Sequence, residues 1–179
     1  MNEFDHWVQS SLGIKHYGRY VDDMFFMHQD KDFLKDCIST VQKKMNTYGM
    51  EIHPKKIYFQ HYSKGLHFLG RYIKPYRTYV SSRTKNNFLQ MIKRMEKDLA
   101  LGLDHLIDKQ LLPYYHSCIN SYLGFFIKAN SYSFIKKVIA NLSKTFYVFY
   151  YFEKKGVSWK CKLKKTFKNN GIILQLTSI

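Results

Sequence analysis

Tyr20-Val21-Asp22-Asp23 sits between Ile14 to Arg19 and Met24 to His28, two runs that read as strands, and this junction constrains the fold more than any other stretch. Asp tolerates the backbone angles of a two-residue loop and bonds local amides, so the pattern predicts a tight β-hairpin. After the tip, Met24, Phe25, Phe26 and Met27 form an apolar run expected to bury the far strand on both faces. Two carboxylates in so poorly solvated a place are costly unless a cation neutralises them. Hard oxygen donors with no Cys or His in the tip suit Mg²⁺, which takes one or two protein carboxylates and fills its other positions with water and phosphate. A solvated turn is the plain alternative, and the apolar flanks favour the metal site.

The rest of the composition points to a polyanionic partner. The chain has 179 residues, 45% hydrophobic and 17% aromatic, which suffices to bury a core. Its 29 Lys and Arg against 13 acidic residues leave a formal charge of +16, and the excess runs through residues 55–165 instead of gathering in a tail. No apolar stretch approaches the roughly 20 residues that span a bilayer, and no signal-peptide pattern opens the chain, so a soluble, cytoplasmic protein without membrane contact is expected. Cys37, Cys118 and Cys161 are far apart and odd in number, which reads as free thiols in a reducing compartment. The eight histidines show no metal-ligand spacing.

Along the chain, Phe4, Trp7, Val8 and Leu12 recur at helical spacing before Gly13 and predict a short helix feeding the hairpin. Asp30 caps a second predicted helix, with Phe33, Leu34, Cys37, Ile38, Val41, Met45 and Tyr48 on one face and Gly49 at its end. This helix is expected to lie across the sheet. Ile57-Tyr58-Phe59 reads as a strand after Pro54. Leu66 to Ile73 and Thr78 to Ser81 read as a hairpin around Lys74-Pro75-Tyr76-Arg77, with Gly70 marking a bulge or a close backbone approach. From Arg83 onward the pattern turns helical, over 83–101, 108–129 and 131–150. The first of these buries Phe88, Ile92, Met95 and Leu99 and leaves Arg83, Lys85, Lys93, Arg94 and Lys97 on its remaining surface. Lys154 to Lys168 alternates Val157, Trp159, Cys161 and Leu163 with Lys and Ser, as an edge strand or folded tail does.

The run Tyr17 to Phe26 resembles the Tyr-x-Asp-Asp motif of reverse transcriptases, which stands at the tip of a hairpin in the polymerase palm. Three further resemblances follow in the family's order. Gly49 to Ile57 is similar to a loop whose lysine, at Lys56, lies near the nucleotide phosphates; His67-Phe68-Leu69-Gly70 is similar to the primer grip; and residues 83–150 resemble the thumb. Details within 14–20 and 53–65 resemble bacterial enzymes of the diversity-generating retroelement and group II intron type. The resemblance implies an α+β chain: a partial palm of antiparallel hairpins over residues 1–82, an all-helical three-helix thumb over 83–150, and a C-terminal extension over 151–179.

As implied roles, Asp22 and Asp23 hold Mg²⁺ and Lys56 assists departure of pyrophosphate. Tyr20 and Val21 lie beside the primer terminus with Phe68, Leu69 and Gly70 behind it, and Arg83, Lys85, Lys93, Arg94 and Lys97 grip phosphates. The implied partners are an RNA template, a DNA primer and deoxynucleoside triphosphates, with any accessory protein unidentified. The family's fingers and a further aspartate on an earlier palm strand find no room in the 21 residues before Asp22. The chain is therefore expected to be a C-terminal palm and thumb portion, inactive by itself. Two alternatives remain open: a non-catalytic nucleic-acid-binding module and a maturase-like protein that binds intron RNA.

Overall fold

The computed structural model describes residues 2–104 and 110–167. These form an α+β chain with six helices and seven short strands in three small antiparallel sheets. The chain divides into two compact units, Met1–Lys64 and Gly65–Ile179. The sequence places its divisions after residues 82 and 150, whereas the compact units meet at Lys64 and Gly65. Each unit is described by itself.

In the first unit, α1 (Asn2–Ser10) places Phe4 and Val8 one turn apart on its buried side. The hairpin β1 (His16–Tyr20) and β2 (Asp23–Met27) follows, and α2 (Lys31–Asn46) starts where the Asp30 carboxylate accepts the amides of Asp32 and Phe33 at 2.9 and 3.0 Å. Those two amides hold the Asp30 carboxyl below its usual range. The core consists of Phe4, Val8, Ile14, Cys37, Val41 and Met45, with Tyr17, Met24 and Phe26 of the hairpin packed against it. The helix thus covers the sheet as expected. Ile57-Tyr58-Phe59, expected as a strand, has no strand pairing among the described residues, and Tyr58 is 83% exposed. With no neighbouring strand to take its amides, its β-propensity is not enough. The residues before it, Pro54–Lys56, form a single 3₁₀ turn capped by His53, whose Nδ1 accepts the Lys55 amide at 3.2 Å.

The second unit begins with a three-stranded sheet, β3 (Leu66–Phe68), β4 (Arg71–Lys74) and β5 (Arg77–Val80), in sequential order. The expected single strand from Leu66 to Ile73 is in fact two, because Leu69 and Gly70 take φ of +50° and +73° and reverse the chain. Positive φ at both central positions is the pattern of a type I′ hairpin turn, so Gly70 marks a turn and not a bulge. The following turn uses Pro75 and Tyr76, the latter at φ +62°.

α3 (Ser82–Asp104) and α4 (Leu111–Phe126) occupy most of their expected ranges; residues 108 and 109 lie outside the described residues. The expected third helix is two, α5 (Tyr132–Ala140) and α6 (Lys144–Phe149). Asn141 ends α5 by donating its amide to the Lys137 carbonyl at 2.7 Å, and Ser143 caps α6 by accepting the Phe146 amide at 3.3 Å. A last hairpin, β6 (Tyr150–Lys155) and β7 (Ser158–Leu163), turns at Gly156 and Val157. Trp159, Cys161 and Leu163 face inward as their alternation predicts, whereas Val157 stands in the turn, 73% exposed. The core joins Phe88, Ile92, Met95 and Leu99 of α3 to Phe126, Phe146, Tyr150 and Cys161. Burial pushes the Cys161 thiol up to about 12, so it behaves as a small apolar group.

Candidate active site

The hairpin register pairs Tyr20 with Asp23, Arg19 with Met24, Gly18 with Phe25 and Tyr17 with Phe26. Opposed residues share a face. Tyr17, Arg19, Met24 and Phe26 therefore lie on the helix side, and Gly18, Tyr20, Asp23, Phe25 and Met27 on the open side. On that open side a Cβ at Gly18 would stand 2.4 Å from the Phe25 ring, so only glycine lets the ring lie down on the strand.

The two-residue loop is Val21-Asp22. Val21 takes φ +53°, and Asp22 does not have positive φ, the pattern of a II′ turn whose first central position favours Gly. A β-branched residue there is strained by about 1–3 kcal/mol, a cost that the surrounding structure must offset. The brace is visible. Arg19 donates Nη1 to the Val21 carbonyl at 3.1 Å, while its Nε and Nη2 clasp the Asp5 carboxylate of α1 at 2.7 and 2.6 Å. Tyr17 donates its hydroxyl to the same carboxylate at 2.6 Å. Asp5 falls from 3.8 to about 2, chiefly through the Arg19 hydrogen bond and also through Tyr17; partial burial opposes it. Burial and the neighbouring Asp5 carboxylate push the Tyr17 phenol up. Sequence reasoning missed Asp5 and Arg19. A carboxylate 14 residues from its arginine and across a helix-to-strand turn leaves no local periodicity to read.

Asp22 and Asp23 are both exposed, as are Tyr20 (58%) and Val21 (64%). The expected poorly solvated tip is therefore a solvated one. Met24, Phe25 and Phe26 are half-buried and none is fully buried, Met24 and Phe26 packing against the core, because β1 and β2 form a two-stranded sheet among the described residues. The donor chemistry still suits Mg²⁺, which accepts one or two carboxylates and keeps its waters. Among the described residues, no group of three or more His, Cys, Asp or Glu could hold a metal ion, so the tip offers at most the two carboxylates of Asp22 and Asp23. Lys56 is exposed in its 3₁₀ turn and forms no ion pair with a carboxylate among the described residues.

In the second unit, Phe68 is half-buried and Leu69 exposed at its turn. What approaches Gly70 is its own chain: its carbonyl accepts the Ser81 amide at 2.9 Å and the Thr84 hydroxyl at 3.3 Å, and a Cβ there would meet Thr84 Oγ1 at 3.0 Å. On α3, Arg83, Lys93, Arg94 and Lys97 are exposed. Lys85 is set apart, half-buried with its ammonium 5.5 Å from the centre of the Phe134 ring. The acidic residues of this helix stretch turn inward: Glu96 accepts the Ser143 amide at 2.6 Å, and Asp98 accepts the Tyr115 hydroxyl. The charged groups on the exposed face from Arg83 to Lys97 are thus all cationic, with Asn86 and Gln90 between them.

Residues 1–73 match the family model described as reverse transcriptase (RNA-dependent DNA polymerase). This part of the chain is similar to reverse transcriptases. The match contains the Asp22-Asp23 hairpin, Lys56 and the Phe68-Leu69-Gly70 turn, and it ends within β4, so α3 to α6 and the last hairpin lie beyond it. Comparison with curated proteins gives no match. Among the described residues no helix is long and apolar enough to cross a membrane.

Proposed function

We propose that this chain carries palm and thumb elements of an RNA-directed DNA polymerase of a bacterial retroelement, of diversity-generating or group II intron type. The observation that carries the reading is the Asp22-Asp23 tip, held on a strained two-residue turn inside the stretch similar to reverse transcriptases. Asp22 is the principal ligand for Mg²⁺ and Asp23 the second. When bound there, the ion neutralises charge on the phosphoryl oxygens of the incoming nucleotide. Arg19 and Asp5 position the tip by fixing the Val21 carbonyl to α1. Lys56, exposed in its turn, offers its ammonium to the departing pyrophosphate. Tyr20 and Val21 contact the primer terminus, and Phe68 and Leu69 support the primer strand. Arg83, Lys93, Arg94 and Lys97, flanked by Lys85, hold template and primer phosphates without regard to sequence.

The exposure of the tip favours one second reading, a nucleic-acid-binding module whose acidic pair is only a turn. Paramagnetic Mn²⁺ separates the two. Titrated into the isotope-labelled chain, it is expected to broaden the amides of Tyr20 to Met24 at millimolar concentration and to leave them sharp in the Asp22→Asn/Asp23→Asn variant. Broadening elsewhere, or none, sinks the polymerase reading. With two carboxylates at the tip, the chain by itself is expected to give no template-dependent primer extension. Incorporation by the purified chain would show a more complete site.

A further inference from the structure

The last hairpin packs one face into the core and leaves the other free. Tyr150, Phe152, Trp159, Cys161 and Leu163 turn inward, with Phe146 stacked on Phe152 at 5.4 Å and on Tyr150 at 5.0 Å. The Tyr150 hydroxyl donates to the Leu112 carbonyl at 2.9 Å. At Cys161 the edge of β7 is closed by Asn120 of α4, whose amide donates to the Cys161 carbonyl and accepts its N–H, both at 3.0 Å. The hairpin is therefore a fixed part of the helical unit, and neither its inner face nor the Cys161 edge is open to a partner strand.

Strand alternation sets the outer face. Tyr151 opposes Lys162, Glu153 opposes Lys160, and Lys155 opposes Ser158. Tyr151 is 41% exposed, and Lys155 and Lys160 are exposed with no carboxylate pairing among the described residues. The single acid, Glu153, is engaged by Lys162 at 3.6 Å and accepts the Tyr151 hydroxyl at 3.5 Å, which leaves the ring face of Tyr151 free for stacking. Lys160 and Lys162, with Lys164 next in the chain, recur every second residue, a repeat of about 6.6 Å along an extended strand. Successive phosphates of an extended nucleic acid strand have comparable spacing. A π-face framed by lysines on a rigid sheet suits an unstacked base and its flanking phosphates, whereas a stacked duplex presents no free base to Tyr151. A lipid surface is disfavoured by the lack of an apolar rim on this face, where Tyr151 is joined only by Val157 at the turn.

We propose that the outer face of this hairpin binds single-stranded RNA, with Tyr151 as the stacking platform and Lys155 and Lys160 as phosphate contacts. This surface is separate from the exposed face of α3 and stands independently of the metal chemistry at Asp22 and Asp23.

The test measures binding of the full chain to a short unstructured RNA and to a duplex of the same length across a salt series. Tyr151→Ser is expected to weaken RNA binding about five-fold or more and to leave duplex binding unchanged. Lys155→Ala/Lys160→Ala should flatten the single-strand salt slope by about 1.4, from about 0.7 per phosphate contact. Ultraviolet crosslinking of the unaltered chain to the same RNA, which needs no variant to fold, should mark the peptide containing Tyr151. The proposal is overturned if that peptide is never marked, or if folded Tyr151→Ser binds RNA as the parent does. Equal loss on RNA and duplex also overturns it.

Discussion

The two compact units differ sharply in charge, one near neutral and one strongly basic. Residues 1–64 hold nine Lys and Arg against eight Asp and Glu, while residues 65–179 hold twenty against five. Nearly all of the +16 charge therefore belongs to the second unit. On the proposed reading, an acidic tip that holds a hard cation gains from a near-neutral background, since surrounding ammonium groups weaken the carboxylates' hold on the ion. A surface meant to grip phosphates gains from the reverse. Stability divides in the same way. The first unit closes over a small core and adds the Asp5-Arg19-Tyr17 cluster, while the second rests on stacked aromatics around Phe126, Phe146 and Tyr150.

The largest expected effect bears on the independence of the two units. Phe146 is fully buried between Tyr150 and Phe152, so Phe146→Ala should destabilise the second unit by about 3–5 kcal/mol. Amide exchange in α1 and α2 should stay unchanged. Matching losses in both units would mean that they unfold as one body and that the contrast is only one of charge.

A smaller effect bears on the strained tip. Val21→Gly removes the penalty of a β-branched residue at φ +53° and should stabilise the hairpin by about 1 kcal/mol, read as slower exchange of the β1 and β2 amides. Faster exchange would show that Val21 is held by packing and not merely tolerated.

The smallest effect is confined to acid. The folded pKa of Asp5 lies below its ordinary 3.8, at about 2, so its contribution is complete above about pH 4 and is lost as pH falls through about 2. Chemical shifts of Tyr17, Arg19 and Val21 should move together over that window, while α3 and α4 stay fixed. Titration of these residues near the ordinary carboxylate value would mean that the Arg19 clasp does not persist in solution.

Legibility in the sequence followed the range of the interactions. α3 was readable because Phe88, Ile92, Met95 and Leu99 repeat within one helix, and the Asp30 cap because its partners are two and three residues away. The hairpin tip was readable from its flanks, though its burial was not, since exposure depends on what lies beside β2. Gly70 reads as a bulge or a close backbone approach because a glycine between β-formers signals either; the pairing of Phe68 with Arg71 makes it a turn, and Thr84 supplies the close approach. The break at Asn141 to Ser143 carried a legible Ser cap that the long aromatic pattern masked. The inward roles of Glu96 and Asp98 depend on partners 47 and 17 residues away and left no local mark.

The division of labour is tested most directly by the salt dependence of binding to an RNA–DNA primer-template hybrid. The slope of log affinity against log salt is expected to be roughly −3 to −5 for the chain, at about −0.9 per phosphate by the duplex DNA rule. Lys93→Ala/Lys97→Ala should flatten it by about 2, and Asp22→Asn/Asp23→Asn should leave it unchanged. An unchanged slope in the lysine variant, or a slope that moves with the aspartates instead, contradicts the assignment of phosphate grip to α3 and of metal chemistry to the tip.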